Sequence, residues 1–344
     1  MTPFVLHRPA TLAAATRLAA EGAMVYAGGT TALDLMKKGV LRPDRVVDIT
    51  AADAPAMRAV ERDGDTLCLG ALVTMHEAAQ HPLVKELAPC VSQSLWLAAS
   101  HQIHHMATLG GNVLQRTRDP YFRDPDWLEL APGNHTTDDT PNNTTAARRD
   151  RVSQPTRLSA VLGTTDTHTA SYPGDFAQSL AALGADVQVQ GPGGARTLPF
   201  ETLHVLPAEQ ASVGRRLRLR PGEIITGFRV PVGAMSRNSL YLKARDRQSY
   251  AFANASVAAA LALDGDRVRD VRVALGGVAT VPWRSRAAED AVRGRRLDAD
   301  AARAAGHAAF AEAVAHPATA FKIPLGRALV AQALLRLAGK EIDQ

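Results

Sequence analysis

The sequence predicts an α+β fold with two or three packing units. The chain has 344 residues, 46% hydrophobic and 21% charged, which is typical of a globular protein with a substantial core. Helical and extended stretches alternate in the first 50 residues, which predicts a compact α/β unit. A second mixture of strands and helices in the last hundred residues predicts a smaller α+β domain. The segment between residues 119 and 157 contains many Asp, Asn, Thr and Pro residues and is expected to form a long irregular surface loop.

The N-terminal unit is expected to begin with a helix over 10–20, followed by a short strand over 23–26. A glycine loop at Gly28-Gly29 interrupts the strand, and a helix over 32–38 ends at Gly39, a residue type that favours helix C-termini. The next strand is expected over 45–49.

The remaining elements follow from the same periodicities. After Pro89 a long helix is expected from about Cys90 to His105. Further elements are predicted as strands over 66–71, 186–189, 223–230, 239–243 and 268–275, and as helices over 74–79, 83–87, 176–183, 301–315 and 326–337.

Composition argues against several functional classes. The two cysteines, Cys68 and Cys90, lie among apolar residues and cannot supply a four-thiolate metal site or a disulfide framework. No apolar run reaches the roughly 20 residues of a membrane span, and no signal peptide is seen. We therefore expect no membrane insertion and a cytoplasmic location, although export with a partner is compatible with the sequence. The net charge of +5 comes with no nucleic-acid-binding motif, so no nucleic-acid partner is expected.

Two loops have the chemistry of anion-binding sites. Ala27-Gly28-Gly29-Thr30-Thr31 joins a strand to a helix, where backbone amides and hydroxyls can face a bound anion. Thr108-Leu109-Gly110-Gly111-Asn112 repeats this chemistry later in the chain. Two such loops suit the two phosphoryl groups of a pyrophosphate. Neither loop matches the dinucleotide-binding or P-loop fingerprints.

Three motifs occur in the order found in one family. Ala27-Gly28-Gly29-Thr30, the segment 107–112 and Tyr241-Leu242-Lys243-Ala244-Arg245 together resemble the FAD-binding subunit of molybdenum hydroxylases, a family that includes xanthine dehydrogenase, carbon monoxide dehydrogenase and aldehyde oxidoreductase. Segments 114–124 and 245–252 resemble the flavin subunit of bacterial aldehyde oxidoreductases. The likeness covers nearly the whole chain.

The resemblance implies a fold and a cofactor site. It implies a two-subdomain FAD-binding domain of the molybdopterin-dehydrogenase flavin-subunit type at 1–232, divided into about 1–52 and 53–232, and a small α+β C-terminal domain at 237–340. It further implies that Lys243 lies near the flavin, where a cation would favour negative charge on the ring. The residues implied in binding FAD are Ala27, Gly28, Gly29, Thr30, Thr31, Thr108, Gly110, Gly111, Asn112, Asp175 and Lys243.

The chain departs from its aldehyde oxidoreductase relatives at their cluster-binding cysteines. The resemblance places Asp119, Thr136 and His168 where those relatives have thiolates for a four-iron cluster. Carboxylate and hydroxyl groups are poor substitutes for thiolates at such a cluster. We therefore expect this chain to bind no iron–sulfur cluster.

A second departure is the sequence H-x-x-H-H at His101, His104 and His105, where relatives have other residues before the second loop. These histidines are expected on one helix face. They could be simple replacements, or His104 or His105 could transfer protons near the flavin as a catalytic group. A metal site is a third alternative, but no further ligand is evident, so no metal is expected.

These observations favour an electron-transfer subunit. Partner subunits with molybdopterin and two-iron centres would deliver electrons to FAD, and an external small-molecule acceptor would receive them. The alternative is a stand-alone FAD-dependent oxidase or dehydrogenase that acts directly on a small molecule.

Overall fold

A computed structural model describes residues 1–125 and 155–340. Most of the segment expected to form a long loop, including Thr136, lies outside the described residues. The helices in the described part are, in chain order, α1 (Leu12–Ala20), α2 (Ala32–Lys37), α3 (Met75–Gln80), α4 (Pro82–Leu87), α5 (Pro89–Leu97), α6 (His101–His104), α7 (Leu109–Val113), α8 (Phe176–Leu183), α9 (Pro207–Val213), α10 (Ala234–Arg237), α11 (Arg286–Val292), α12 (Ala299–Ala309) and α13 (Lys322–Leu337).

The strands form three sheets, so the predicted α+β class is confirmed. The sheets have the orders β1-β3-β2, β4-β5-β8-β6-β7 and β12-β11-β10-β9. The strands are β1 (Val5–His7), β2 (Met24–Tyr26), β3 (Arg45–Asp48), β4 (Val60–Asp63), β5 (Thr66–Gly70), β6 (Asp186–Gly191), β7 (Gly194–Pro199), β8 (Ile224–Pro231), β9 (Ser239–Ala244), β10 (Ala255–Asp264), β11 (Arg267–Gly276) and β12 (Trp283–Arg284).

The small parallel sheet positions the first glycine loop. Strand β3 pairs in parallel with β1 on one side and β2 on the other. Val46 and Val47 in its centre are buried, and Thr11 caps the N-terminus of α1. The loop therefore follows β2 at the carboxyl edge of this sheet and leads directly into α2.

The five-stranded antiparallel sheet packs on helices from two parts of the chain. Phe176 of α8 contacts Phe228 of β8 edge to face, with ring centroids 5.6 Å apart. Phe200 contacts the same Phe228 ring at 6.5 Å. All three rings are buried in one hydrophobic cluster with α3, α4 and α5, which fixes the second glycine loop and α8 on the same core.

The four-stranded antiparallel sheet contains an element that the sequence did not indicate. Half of the residues in strand β10 are alanine, a residue with low strand propensity. It is nevertheless the central partner of both β9 and β11. The second hydrophobic cluster buries Val257 and Ala259 of this strand with Val330 and Leu334 of α13, and tertiary packing therefore outweighs local preference.

The prediction of one long helix from Cys90 to His105 is wrong in one respect, because the structure has two helices there. Helix α5 ends at Leu97, and α6 begins only at His101. Between them Ala99 has a φ of 39°, a left-handed conformation that a continuous α-helix cannot contain. The Ser100 side chain then caps the new helix by accepting the Ile103 amide at 3.4 Å.

In the described residues no helix has the length and apolar composition needed to cross a bilayer.

Candidate functional site

The two glycine loops converge in the structure. A Cβ atom added to Gly28 would lie 1.9 Å from the carbonyl oxygen of Met106, immediately before the second loop. Only glycine permits this approach of the two backbones. The sequence motifs at 27–31 and 107–112 are therefore neighbours in space.

The first loop offers free backbone donors. Within the described part of the chain, the amides of Gly28, Gly29, Thr30 and Thr31 donate no hydrogen bond. Gly29 has a φ of +70° and packs against the Tyr26 ring. A row of unpaired amides at a partly exposed turn can bind an anion, and pyrophosphate oxygens are suitable acceptors.

The second loop is built differently, because its amides are already used. The amides of Leu109 and Gly110 donate to the carbonyls of Val73 and Ala71, both at 2.9 Å. The Thr108 hydroxyl accepts the Gly111 amide at 3.3 Å and caps α7. The Asn112 Oδ1 atom is buried without a partner, so it is available to a ligand hydroxyl or amide. This loop can contribute side-chain groups and a close-fitting wall.

Asp175 and Lys243, each implied by the resemblance to lie near the cofactor, form a buried ion pair. The Lys243 ammonium donates to Asp175 Oδ2 at 2.7 Å and to the Leu97 carbonyl at 3.1 Å. The Tyr241 hydroxyl donates to Asp175 Oδ1. Burial, together with the Asp175 carboxylate, raises the pKa of Tyr241 well above its usual value, so this phenol remains a donor.

The network also reaches the turn between α5 and α6. Arg245 Nη1 donates to the same Leu97 carbonyl at 2.8 Å. Two cations thus share the last carbonyl group of α5, where the helix end carries partial negative charge. The Asp175–Lys243 pair is therefore linked to Leu97, the last residue of α5, from which the chain continues through α6 to the second glycine loop.

The expectation that all three histidines of the H-x-x-H-H sequence share one helix face is only partly met, because His101 and His105 are both exposed and in contact, whereas His104 is buried. His104 is buried and donates from Nε2 to the Ala98 carbonyl at 2.7 Å. Burial lowers the pKa of His104, with a smaller opposing effect from that hydrogen bond. His105 instead lies at the surface, stacked on the His76 ring with centroids 4.0 Å apart. The buried position of His104 argues against direct contact with a substrate, and the catalytic assignment of either residue stays a prediction.

Asp119, at a position implied to hold a cluster thiolate in relatives, has a local structural role here. Its Oδ1 atom accepts the amides of Tyr121 and Phe122 at 3.0 and 3.1 Å. Burial raises the pKa of Asp119, with these hydrogen bonds opposing the shift. The carboxylate thus closes a turn by satisfying two backbone donors. His168, at another such position, is held in a short antiparallel bridge with Thr165.

Sequence reasoning missed two groups around the site. Asp34 of α2 forms ion pairs with Arg118, at 3.5 Å, and with Arg123, which ties the first loop's helix to the segment after the second loop. His76 of α3 joins His101 and His105 in a cluster. The predicted helix over 74–79 already included His76, but neither that helix nor its capping box indicates which residues His76 contacts.

Comparison with known proteins agrees with this geometry. The model of the FAD binding domain in molybdopterin dehydrogenase matches residues 2–233, and that of the CO dehydrogenase flavoprotein C-terminal domain matches residues 239–337. The aldehyde oxidoreductase FAD-binding subunit PaoB of Escherichia coli strain K12 is 35% identical over 269 residues, which are 78% of each chain. The carbon monoxide dehydrogenase medium chain of Afipia carboxidovorans is 25% identical over 92% of this chain and 88% of its own length.

The fold is also that of a solved structure. Carbon monoxide dehydrogenase from Hydrogenophaga pseudoflava matches with a TM-score of 0.74 at 22% identity, over 98% of this chain and 99% of that chain. The free amides of the first loop and the tight approach at Gly28 fit a bound FAD pyrophosphate, and the orphaned Asn112 Oδ1 atom fits a hydroxyl or amide donor of the same cofactor. The chain therefore belongs to the family of FAD-binding domains in molybdopterin dehydrogenases, with FAD as its cofactor.

Proposed function

We propose that the chain is the FAD-containing electron-transfer subunit of a molybdenum hydroxylase-type oxidoreductase. Electrons would come from iron–sulfur centres of a partner and leave to an external small-molecule acceptor. The observation that carries the proposal is the convergence of a loop of free amides with a second glycine loop, in a chain whose relatives are named as an FAD-binding subunit and a medium chain.

Each loop has its own part in this proposal. When bound, FAD supplies the two-electron redox chemistry of the subunit. The amides of Gly28 to Thr31 would donate to the pyrophosphate, and the Asn112 oxygen would accept from a ligand donor. Because Gly110 and Gly111 have no side chains, the cofactor could approach the backbone of the second loop closely. Asp175 would hold the Lys243 ammonium in position beside the cofactor.

The surface around the second loop supports docking of a protein partner. Trp96, Met106 and Tyr250 are large apolar side chains that are 48%, 58% and 56% exposed. The Tyr250 amide donates to the Ala99 carbonyl in the turn between α5 and α6, and Trp96 contacts His101 and His104 of α6. Exposed apolar patches on otherwise polar proteins mark contact surfaces. We place the iron–sulfur partner here, adjacent to the loop that approaches Gly28.

The domain division implied by the resemblance is part of the proposal. An FAD-binding domain over 1–232, with subdomains at about 1–52 and 53–232, agrees with the separate three- and five-stranded sheets. A C-terminal domain over 237–340 agrees with the four-stranded sheet and the second hydrophobic cluster, although Val161 and Leu162 also join that cluster.

Anaerobic reduction tests the function directly. The purified chain with its FAD is mixed with candidate aldehyde or heterocyclic substrates, alone and with the molybdopterin and two-iron partner subunits. We expect the flavin absorbance to bleach slowly without partners and rapidly with them. Efficient bleaching and turnover by the isolated chain on a native substrate would instead establish the stand-alone enzyme.

A further inference from the structure

Three histidines form a cluster beside the second glycine loop. His76 lies in the first turn of α3, while His101 begins α6 and His105 follows its last residue. One ring nitrogen from each residue can be chosen so that all three lie within 4.8 Å of one another. The ring centroids of His76 and His105 are 4.0 Å apart, and those of His101 and His105 are 4.8 Å apart.

The backbone around the cluster is well defined. The Thr74 and Glu77 side chains cap α3 reciprocally, with the Thr74 amide donating to Glu77 Oε2 at 2.8 Å. His101 and His105 are four residues apart across α6, so they share one face. The Met75 amide donates to the Ala107 carbonyl at 2.8 Å and ties α3 to the residues just after His105. The three imidazoles are thus brought together by elements that are already connected.

The cluster also contains an unsatisfied donor or acceptor. The Nδ1 atom of His76 is buried and has no hydrogen-bond partner. A buried polar atom without a partner costs free energy, which a ligand would recover. His101 and His105 are exposed, so an ion from solvent can reach the cluster.

We propose that His76, His101 and His105 bind one divalent transition-metal ion of the Zn²⁺ class. Imidazole nitrogen suits Zn²⁺, Ni²⁺ and Cu²⁺, whereas Mg²⁺ and Ca²⁺ prefer oxygen. Zn–N bonds of about 2.0–2.1 Å place tetrahedral ligand atoms roughly 3.4 Å apart. The nitrogens are at most 4.8 Å apart, so small rotations of the exposed His101 and His105 rings close the site. Three protein ligands leave a fourth position for water.

The ion would act on the flavin site through the backbone. Thr74 and Thr108 form an isolated antiparallel bridge, so the start of α3 is joined to the start of the second glycine loop. An ion that links α3 to α6 would restrict the movement of Met106 and Ala107. These are the residues that lie against Gly28 of the first glycine loop. Metal binding should therefore raise the thermal stability of the chain with FAD bound.

Zinc titration of the complete FAD-loaded chain, after chelator treatment and dialysis, tests the site. Isothermal titration calorimetry should give one equivalent of Zn²⁺ per chain, and Zn²⁺ should raise the melting temperature. The single variants His76→Ala, His101→Ala and His105→Ala should each weaken binding by roughly tenfold or more. His307→Ala, in the exposed face of α12, should bind like the wild type. Mg²⁺ should give no binding.

Two results would overturn the site. One is a wild-type chain that binds less than one equivalent of Zn²⁺. The other is a triple variant, with His76, His101 and His105 all replaced by Ala, that retains wild-type affinity. Because His101 and His105 are exposed, their single variants should keep the wild-type circular dichroism spectrum, which separates loss of binding from loss of fold.

Discussion

The Lys243 ammonium lies 2.7 Å from the Asp175 carboxylate, and the two side chains are only 1% and 4% exposed. Asp175 precedes α8 but does not cap it, because its two oxygens are bound to Lys243 and Tyr241. A carboxylate placed at a helix start is thus used to neutralise a buried cation on a distant strand.

Removal of one member of this pair should destabilise the protein strongly. Lys243→Met leaves the Asp175 charge buried without its cation, which typically costs about 3–5 kcal/mol in the free energy of unfolding. The double variant Lys243→Met with Asp175→Asn should recover a large part of that loss. Urea denaturation of the FAD-free chain measures both, since bound FAD would add its own stabilisation.

An exposed ion pair provides the control. Arg157 and Asp246 are 2.8 Å apart, but their side chains are 54% and 57% exposed. Arg157→Ala should therefore change the free energy of unfolding by about 0–1 kcal/mol. An equally small effect of Lys243→Met would show that Lys243 does not neutralise a buried Asp175 charge.

Gly111→Val should remove FAD while leaving the protein folded. Gly111 is exposed, and a Cβ atom there would contact only the Thr108 hydroxyl, at 3.1 Å. A branched side chain would project where the cofactor must approach. We expect flavin absorbance to be lost after gel filtration, with the unfolding free energy of the FAD-free chain within about 1 kcal/mol of wild type.

Substitutions at two other glycines serve as comparisons for Gly111→Val. Gly193→Val, at an exposed turn with no atom within 4 Å of the added Cβ, should retain FAD. Gly28→Val should lose FAD and also stability, because its Cβ would overlap the Met106 oxygen in the protein itself. Normal flavin occupancy in folded Gly111→Val would show that the second loop does not face the cofactor.

The chain should bind no iron–sulfur cluster. Asp119 bonds two backbone amides rather than offering a thiolate. In the described residues the free cysteines are Cys68 and Cys90, and Cys90 is fully buried, with burial raising the pKa of its thiol to about 11. Iron and acid-labile sulfide analysis of anaerobically purified protein should find neither. About four of each per chain would contradict this expectation.

Local patterns were sufficient for the elements that carry the glycine loops. The strand before Gly28, the helix after Thr31 and the end of that helix near Gly39 were all predicted, because short-range periodicity and glycine determine them. The break at Ala99 was not, because Ala98-Ala99-Ser100 contains neither Gly nor Pro, and tertiary contacts impose the left-handed residue.

Long-range pairs depended on information beyond local sequence. Lys243 and Asp175 are 68 residues apart, and only the family motif connected them with one site. His76 was not predicted, because its partners lie on another helix and no spacing rule links α3 to α6. Similarly, β10 was missed because burial between two strands stabilises an alanine-rich sequence that has little preference for a strand.

The last prediction concerns His204, a buried residue whose effect on stability should depend on pH. Its Nε2 atom donates to the Val113 carbonyl at 3.0 Å, and its ring contacts Tyr172. Burial, together with the positive charge of Arg216, lowers the pKa of His204 from 6.5 to about 3. The unfolded chain therefore binds one more proton at His204 than the folded chain between these pH values. The contribution of His204 to the free energy of unfolding is fully present above pH 6.5 and is lost as the pH decreases toward 3.

One such group changes the free energy of unfolding by about 1.4 kcal/mol per pH unit in this range. His204→Gln keeps a donor for the Val113 carbonyl but cannot take up a proton, so this variant should lose that contribution to the slope. Urea denaturation at several values from pH 7 to about pH 4 measures the difference. His307→Gln, at an exposed position, should follow the wild type. Parallel pH profiles for wild type and His204→Gln would mean that His204 takes up its proton in the folded protein, and therefore that its side chain is not enclosed as the structure shows.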